Sequence, residues 1–492
     1  MTTATWTLEV DSNHDGVYET DLTARLIEAA LQYGMQDSYQ QMAPASELVL
    51  GFSNEGGAFN QDNPAATYYN KLVPGSLVRL KVVLSGVTYV QYIGQIGMGS
   101  IQPGRYNQAV TDAHRTTLHV IDPMPRLIAG EYNPPLQTSV RVDEVFQQIL
   151  DTGLVPWPYD ASYGLYDYST YDNALYFIDT LADFEQARTT LPFAGDTAEV
   201  GTQRGVQPYG YISDILLAEA GGRFWYEPTT ARLKFHNRYH DIQNAVIAAV
   251  PTAIVAVDPD DIHYGDRLAN VVQINYLPRR VGTPGSILFA SNNVPFALAG
   301  RQQLQIQARY SDPTTPTARV GGLDVIKPTL GGDIIANAQS GGGGADRISD
   351  VGFAAQIGAT STTLTLINNS QDTIYITTCQ IRGTPLITDN QESAIVQDAA
   401  SIGTYNRQPL APIQISAISD ADFATAYANK LLGQFKAPFT RIAAVTVQAA
   451  NPTDLVHVLA RTVGDRVTIT DSFSGHSKPY VIVGVEKRFV AP

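Results

Sequence analysis

Apolar and polar residues alternate over short stretches along most of the chain. This is the period-two pattern of strands with one buried face. Trp6, Leu8 and Val10 alternate with Thr5, Thr7 and Glu9. Residues 47–53 and 115–122 repeat the pattern. Two hairpins share one layout. In the first, Gly75-Ser76-Leu77-Val78 leads an alternating strand to a turn at Ser85-Gly86, and residues 88–96 return. In the second, Gly464-Asp465-Arg466-Val467 leads a strand to the turn-forming run 471–478, and residues 479–486 return. Each copy reads Gly, two residues, Val, strand, turn, then Tyr-Val and a Gly on the return. The repeat predicts a duplicated β-unit; two ordinary hairpins are the alternative.

The period changes between these copies. Val142, Val145, Phe146, Ile149 and Leu150 recur at helical spacing, with Gly153 as the stop. A second short helix is expected from the N-cap Ser213 to Gly221, feeding a hairpin of residues 223–226 and 232–236. Residues 270–276 begin a further β-rich region. From Leu304 to about Gly383, short strand-like runs divided by Gly, Pro and Asn suggest a small sandwich. Beyond it, Ser419 and Asp420 open a helix that Gly433 ends, and Asn451 caps another. The expected fold is mainly β with an α+β middle. The expected domains are a β-domain over 1–125, an α+β domain over 126–245, a second β-domain from 246–300 and 401–492, and a β-sandwich inserted at 301–400.

Composition narrows the function. The 492 residues carry a formal charge of −15, which disfavours a surface built to neutralise phosphates. The single cysteine, Cys379, permits no internal disulfide and reads as a small buried hydrophobe. The first residues lack the basic and apolar regions of a secretory signal. The longest apolar run, 245–257, is broken by Pro251 and is too short to span a bilayer; it reads as two buried strand-like pieces.

Candidate chemistry is sparse. Asp11-Ser12-Asn13-His14-Asp15-Gly16 begins like a calcium loop, with oxygen donors at the first, third and fifth places and Gly at the sixth. Its last carboxylate, Asp21, falls one place early. Asp11, Asn13, Asp15 and Asp21 are therefore candidate calcium ligands, set against a hairpin turn closed by its own Asx side chains. Trp157, Tyr159, Tyr163 and Tyr166 lie in an aromatic-rich stretch that suits a contact surface or a loop pinned to its own domain. His236 and His240 stand four apart at a strand end, where that spacing is not expected to bring the rings together. The chain has no G-x-S-x-G, H-E-x-x-H, Walker or paired C-x-x-C motif. No residue is assigned a catalytic role, and no cofactor beyond calcium is expected.

The order of parts resembles the tail-tip or baseplate hub (minor tail protein) of long-tailed bacteriophages. The resemblance rests on the Trp6 strand, the Asp11 loop with residues 21–25, Leu72-Val73-Pro74-Gly75, Tyr92-Ile93-Gly94-Gln95-Ile96, the 219–226 segment, residues 233–238, and Gly464-Asp465-Arg466-Val467-Thr468-Ile469. It implies a non-enzymatic structural protein with two related tube-type β-barrels per subunit. Such a homotrimer forms a pseudo-six-fold ring that joins the six-fold tail tube to the tip and lines or closes the DNA conduit. Implied partners are the distal tail or tail-tube protein, the tape-measure protein and a tail fibre or receptor-binding protein. DNA would pass without specific binding. The implied location is the virion tail tip, after assembly in the host cytoplasm. Without a long extension after the second β-domain, receptor binding or wall cleavage is expected to fall to partners. The alternative is a surface or secreted carbohydrate-binding protein with a calcium loop.

Overall fold

The computed structural model describes all residues except 1–3, 37–39, 103–114, 131, 133, 152–181, 196–205, 252–254, 258–261, 450, 472–475 and 491–492. Short alternating runs produce what they predict, a mainly β protein of several sheets.

The largest sheet has eight strands. Its order in space is Thr20–Asp21, Thr5–Asp11, Leu77–Leu84, Val87–Gln102, Arg115–Ile121, Glu47–Ser53, Leu26–Gly34 and Gly484–Val490. The alternating apolar residues share one face: Leu8, Val10, Leu48, Leu50, Val78, Leu80, Leu118 and Val120 are all buried in one core. The first hairpin turns through Ser85 and Gly86 at φ 53° and 81°, the left-handed pair that matches strand twist. The sheet curls far enough for Trp6, near one end, to meet Phe489, in the strand at the other end, edge to face at 4.3 Å.

That last strand departs from the expectation. Residues 479–486 were expected to return as one strand of the second hairpin. Only His476–Val481 does so, pairing with Arg466–Asp471. The chain then leaves the hairpin, and Gly484–Val490 pairs antiparallel with Leu26–Gly34. Residues more than four hundred positions apart thus complete one sheet. The crossing is tight. A Cβ on Gly484 would lie 2.3 Å from the Met35 carbonyl oxygen, and one on Gly34 would lie 2.6 Å from that of Val483. Main chain cannot yield as a side-chain tip can, so glycine is required at both places.

The middle region packs the helices Val142–Asp151 and Pro208–Leu217 with the hairpin Arg223–Glu227/Arg232–His236. The second helix starts earlier than its sequence suggested. Pro208 sets its first turn, so Ser213 lies inside it and is not the N-cap. The later helix Ala421–Phe435 likewise runs past Gly433; Asp420 caps it, its side chain accepting from the Asp422 N–H. Asn451 caps Pro452–Leu459 as its sequence implied.

Strands from Arg279 to Thr388 pair only with one another among the described residues. Ile374–Thr388 is the long spine on which five shorter strands pair, and Gln303–Arg309, Ser361–Asn368 and Val351–Ile357 form a second sheet. Their facing residues, including Ile334, Leu364, Leu366, Ile376 and Cys379, share one core, and burial pushes the Cys379 thiol up to about 11. On either side of this stretch, Val271–Tyr276 pairs with Glu392–Gln397 and Ile413–Ile415. The helix Ala399–Tyr405, with Asp398 as its N-cap, lay outside the predicted pattern. Among its described residues, the apolar run 245–257 yields two-residue strands, Ala248–Ala249 and Val255–Ala256, which are half-buried to exposed rather than buried.

Candidate functional site

The two hairpins open in the same way. Gly75 and Gly464 adopt φ 96° and 90°. In the first copy the Gly75 N–H donates to the Ile96 carbonyl at 2.8 Å, the Ile96 N–H donates to the Ser76 carbonyl at 2.9 Å, and the Ser76 N–H donates to the Val73 carbonyl at 3.0 Å. In the second, Gly464 donates to Ile482 at 2.8 Å, Ile482 to Asp465 at 2.9 Å, and Asp465 to Thr462 at 3.3 Å. Three residues after each glycine a buried valine begins the inward face, Val78 and Val467, followed by Leu80 and Ile469. The likeness stops at the flanking strand. Leu77–Leu84 has the antiparallel neighbour Thr5–Asp11, whereas Arg466–Asp471 has the short parallel neighbour Ala248–Ala249.

A buried polar joint lies where the middle hairpin meets the eight-stranded sheet. Trp225, from the middle hairpin, sits in the core of the eight-stranded sheet beside Leu459 and Val463. Its indole N–H donates to Glu227 Oε2 at 3.4 Å, and the Thr462 hydroxyl donates to the same oxygen. The Tyr33 hydroxyl donates to Thr462 Oγ1 at 3.3 Å. Lys487, on the closing strand, donates to Gln91 Oε1 at 3.0 Å and to the Arg461 carbonyl at 3.4 Å. Gln91 in turn donates to the Leu459 carbonyl at 3.2 Å. Burial pulls the Lys487 ammonium down to about 8, against the pull of Glu227 and Asp465.

That displacement has a pH signature. A lysine in the unfolded chain keeps its proton to about pH 10.4, while folded Lys487 gives it up near 8. Between these values the unfolded state binds the extra proton, so this residue's contribution makes stability rise with pH. The gain between pH 7.5 and 9.5 should be on the order of 2 kcal/mol relative to Lys487→Met, which lacks the group. Urea unfolding of both proteins at the two pH values measures it, and equal pH slopes would refute the assignment.

The Asp11 loop gathers three carboxylates, Asp11, Asp15 and Glu19, whose oxygens lie within 4.8 Å of one another. Asp11 is buried; desolvation raises its pKa despite the N–H groups of Gly16 and Asp15, which donate to it at 2.9 and 3.2 Å. Asn13 Oδ1 accepts from the Asp15 N–H at 3.2 Å, so it serves the turn. Asp21 stands outside this carboxylate group and accepts from the Thr23 N–H at 2.8 Å. Glu19, in the loop's ninth place, is the residue that joins Asp11 and Asp15; the loop-spacing rule could have flagged it. Trp157, Tyr159, Tyr163 and Tyr166 lie outside the described residues.

His236 and His240 do come together, contrary to the expectation from their spacing. The strand ends at His236, and a turn closed by the His240 N–H on the Asn237 carbonyl at 3.1 Å folds the chain back. The rings stack with centroids 3.4 Å apart and planes 18° apart. Glu185 joins them: its Oε1 contacts His240 Nδ1, and its Oε2 accepts from the Asn237 N–H at 2.9 Å. The donor atoms of all three residues lie within 4.8 Å of one another. Burial, then the neighbouring His240, pulls His236 down to about 3. Burial raises the Glu185 carboxyl, but the hydrogen bonds from His240 and Asn237 outweigh it, and the net shift is downward.

No protein-family model and no curated protein matches the chain. Solved structures that it resembles include tail proteins of bacteria and prophages. The tail protein from Neisseria meningitidis MC58 is 11% identical with a TM-score of 0.44, over 99% of this chain and 92% of that one. The 43 kDa tail protein of prophage MuSo2 from Shewanella oneidensis is 10% identical with a TM-score of 0.44, over 99% and 94%. The prophage tail protein gp18 from Listeria monocytogenes EGD-e is 9% identical with a TM-score of 0.38, over 98% and 90%. No helix among the described residues is long and apolar enough to cross a membrane.

Proposed function

We propose that this chain is a non-enzymatic structural hub of a phage-type tail tip or baseplate. The observation that carries the reading is the repeated opening turn at Gly75 and Gly464, with its matched hydrogen bonds and inward valines. A subunit with two related β-units can occupy two places in a ring. Three subunits then supply six similar places, and a three-fold hub docks on a six-fold tube. The units are 1–125 closed by Gly484–Val490, and 246–300 with 401–483; the α+β region 126–245 separates them, and the second carries an insert built on the strands from Arg279 to Thr388. Neighbours would be the tail-tube or distal tail protein, the tape-measure protein and a fibre or receptor-binding protein. The charge of −15 suits a conduit that does not retain DNA.

Native mass spectrometry tests the reading. The chain should form trimers, alone or on addition of a tail-tube partner. Monomers under both conditions would overturn it.

A further inference from the structure

We propose that Glu185, His236 and His240 bind one divalent transition-metal ion of the zinc class. Two imidazoles and one carboxylate are a donor set that suits zinc, cobalt or nickel and is poorly matched to calcium or magnesium. The three residues come from separate pieces of chain. Glu185 follows the strand Ala182–Phe184, His236 ends the strand Arg232–His236, and His240 opens the short helix His240–Gln243. The fold, not local sequence, brings their donors within 4.8 Å of one another.

Two of the ligands are held from behind by hydrogen bonds, as metal ligands are, and the third by ring packing. The Asn237 N–H donates to Glu185 Oε2 at 2.9 Å, leaving Oε1 turned to His240. The Asn244 side-chain amide meets His240 Nε2 at 2.5 Å, which leaves Nδ1 facing Glu185. Trp225 packs edge-on against His236, with centroids 4.5 Å apart. The loop at Gly464 covers both rings. A Cβ there would lie 2.7 Å from His236 Cε1, 3.0 Å from its Nδ1 and 3.6 Å from His240 Nε2.

Binding requires a small rearrangement. Donors sharing one zinc ion lie about 3.3 Å apart, given bonds of about 2.0–2.1 Å. The lone pairs lie in the ring planes, so rings 18° from parallel must fan apart to converge on one ion. His240, at the start of a single helical turn, is the ring that must swing, at the cost of its contact with the Asn244 amide. His236 is fixed by Trp225 and Gly464. The cation takes the place of the hydrogen bond between Glu185 Oε1 and His240 Nδ1. A bound ion would tie the middle strands beneath the turn that opens the second hairpin. The proposal does not depend on the tail reading.

The test uses the full chain without a histidine tag. Zinc is titrated against a chromophoric chelator, and cobalt is followed by its visible absorption. One equivalent per chain is expected. Glu185→Gln and His240→Asn should each weaken binding by about ten-fold or more. Asp15→Asn, in the other carboxylate group, should leave it unchanged. Absence of stoichiometric uptake by the unaltered protein overturns the site, whatever the variants do. So does uptake that survives in Glu185→Gln and His240→Asn.

Discussion

Removing residues 484–492 should destabilise the eight-stranded sheet more than any single substitution within it. The deleted strand pairs with Leu26–Gly34 over seven residues and carries Phe489 and Lys487 into the core. Phe489 packs on Trp6, so its loss opens the sheet where its two ends meet. Phe489→Ala alone should cost about 3 kcal/mol, the usual range for a buried aromatic truncated to alanine. Full deletion adds the lost ladder, leaves the Gln91 carbonyl without its lysine, and bares Leu26–Gly34 as an edge. The expected result is a lower urea midpoint for Phe489→Ala. For the truncated chain, aggregation or loss of cooperative unfolding is expected. Unchanged unfolding of the truncated chain would mean that Gly484–Val490 does not complete this sheet.

The second large effect separates the two copies of the opening turn. Gly75→Ala and Gly464→Ala place the same methyl on backbones at φ 96° and 90°. Both carry the penalty of a left-handed backbone, about 1–2 kcal/mol for a residue with a Cβ. The surroundings differ. At Gly75 the nearest atom to the added Cβ is His14 Cε1 at 3.7 Å, which is ordinary contact. At Gly464 the Cβ would press on His236, whose ring is already wedged between Trp225 and His240. Overpacking of this kind adds about 1–3 kcal/mol. Gly464→Ala should therefore cost about 3 kcal/mol or more, against about 1–2 kcal/mol for Gly75→Ala. Chemical denaturation of both variants reads the difference. Equal losses would show that His236 does not bear on Gly464.

These variants mark where local pattern stops being informative. Strand faces were readable because burial on one side imposes a period of two. Thus Leu8, Val10, Val78 and Leu80 point inward as their alternation implies. The Asn451 cap, and a helix start at Ser419-Asp420, were readable because capping is a contact within one turn. The Ser213 cap failed because Pro208 offered an earlier start with its φ already helical. Gly433 did not stop its helix because a glycine inside a helix costs only about 1 kcal/mol, which packing through Tyr427, Leu432 and Phe435 exceeds.

The candidate sites divide along the same line. In the Asp11 loop the ligand spacing is local, so Asp11 and Asp15 could be nominated from sequence, with Glu19 within reach of the same rule. The histidine cluster was judged by strand geometry, but the chain had already left its strand at His236, and the third member, Glu185, lies some fifty residues away. No spacing rule reaches that far.

By itself, then, the sequence determined the alternation that makes the protein mainly β, the paired Gly-x-x-Val openings, and a composition without a catalytic motif. Each of these is a property of neighbouring residues, whose geometry the backbone period transmits. The tertiary structure alone decided that Gly484–Val490 joins the first sheet, that Trp225 and Lys487 enter its core, and that Glu185 meets His236 and His240. Those outcomes depend on which unpaired edge and which apolar surface each segment finds. The cost of closing a loop grows only with the logarithm of its length, so a strand near residue 487 can still pair with one near residue 31 when edge and apolar face match.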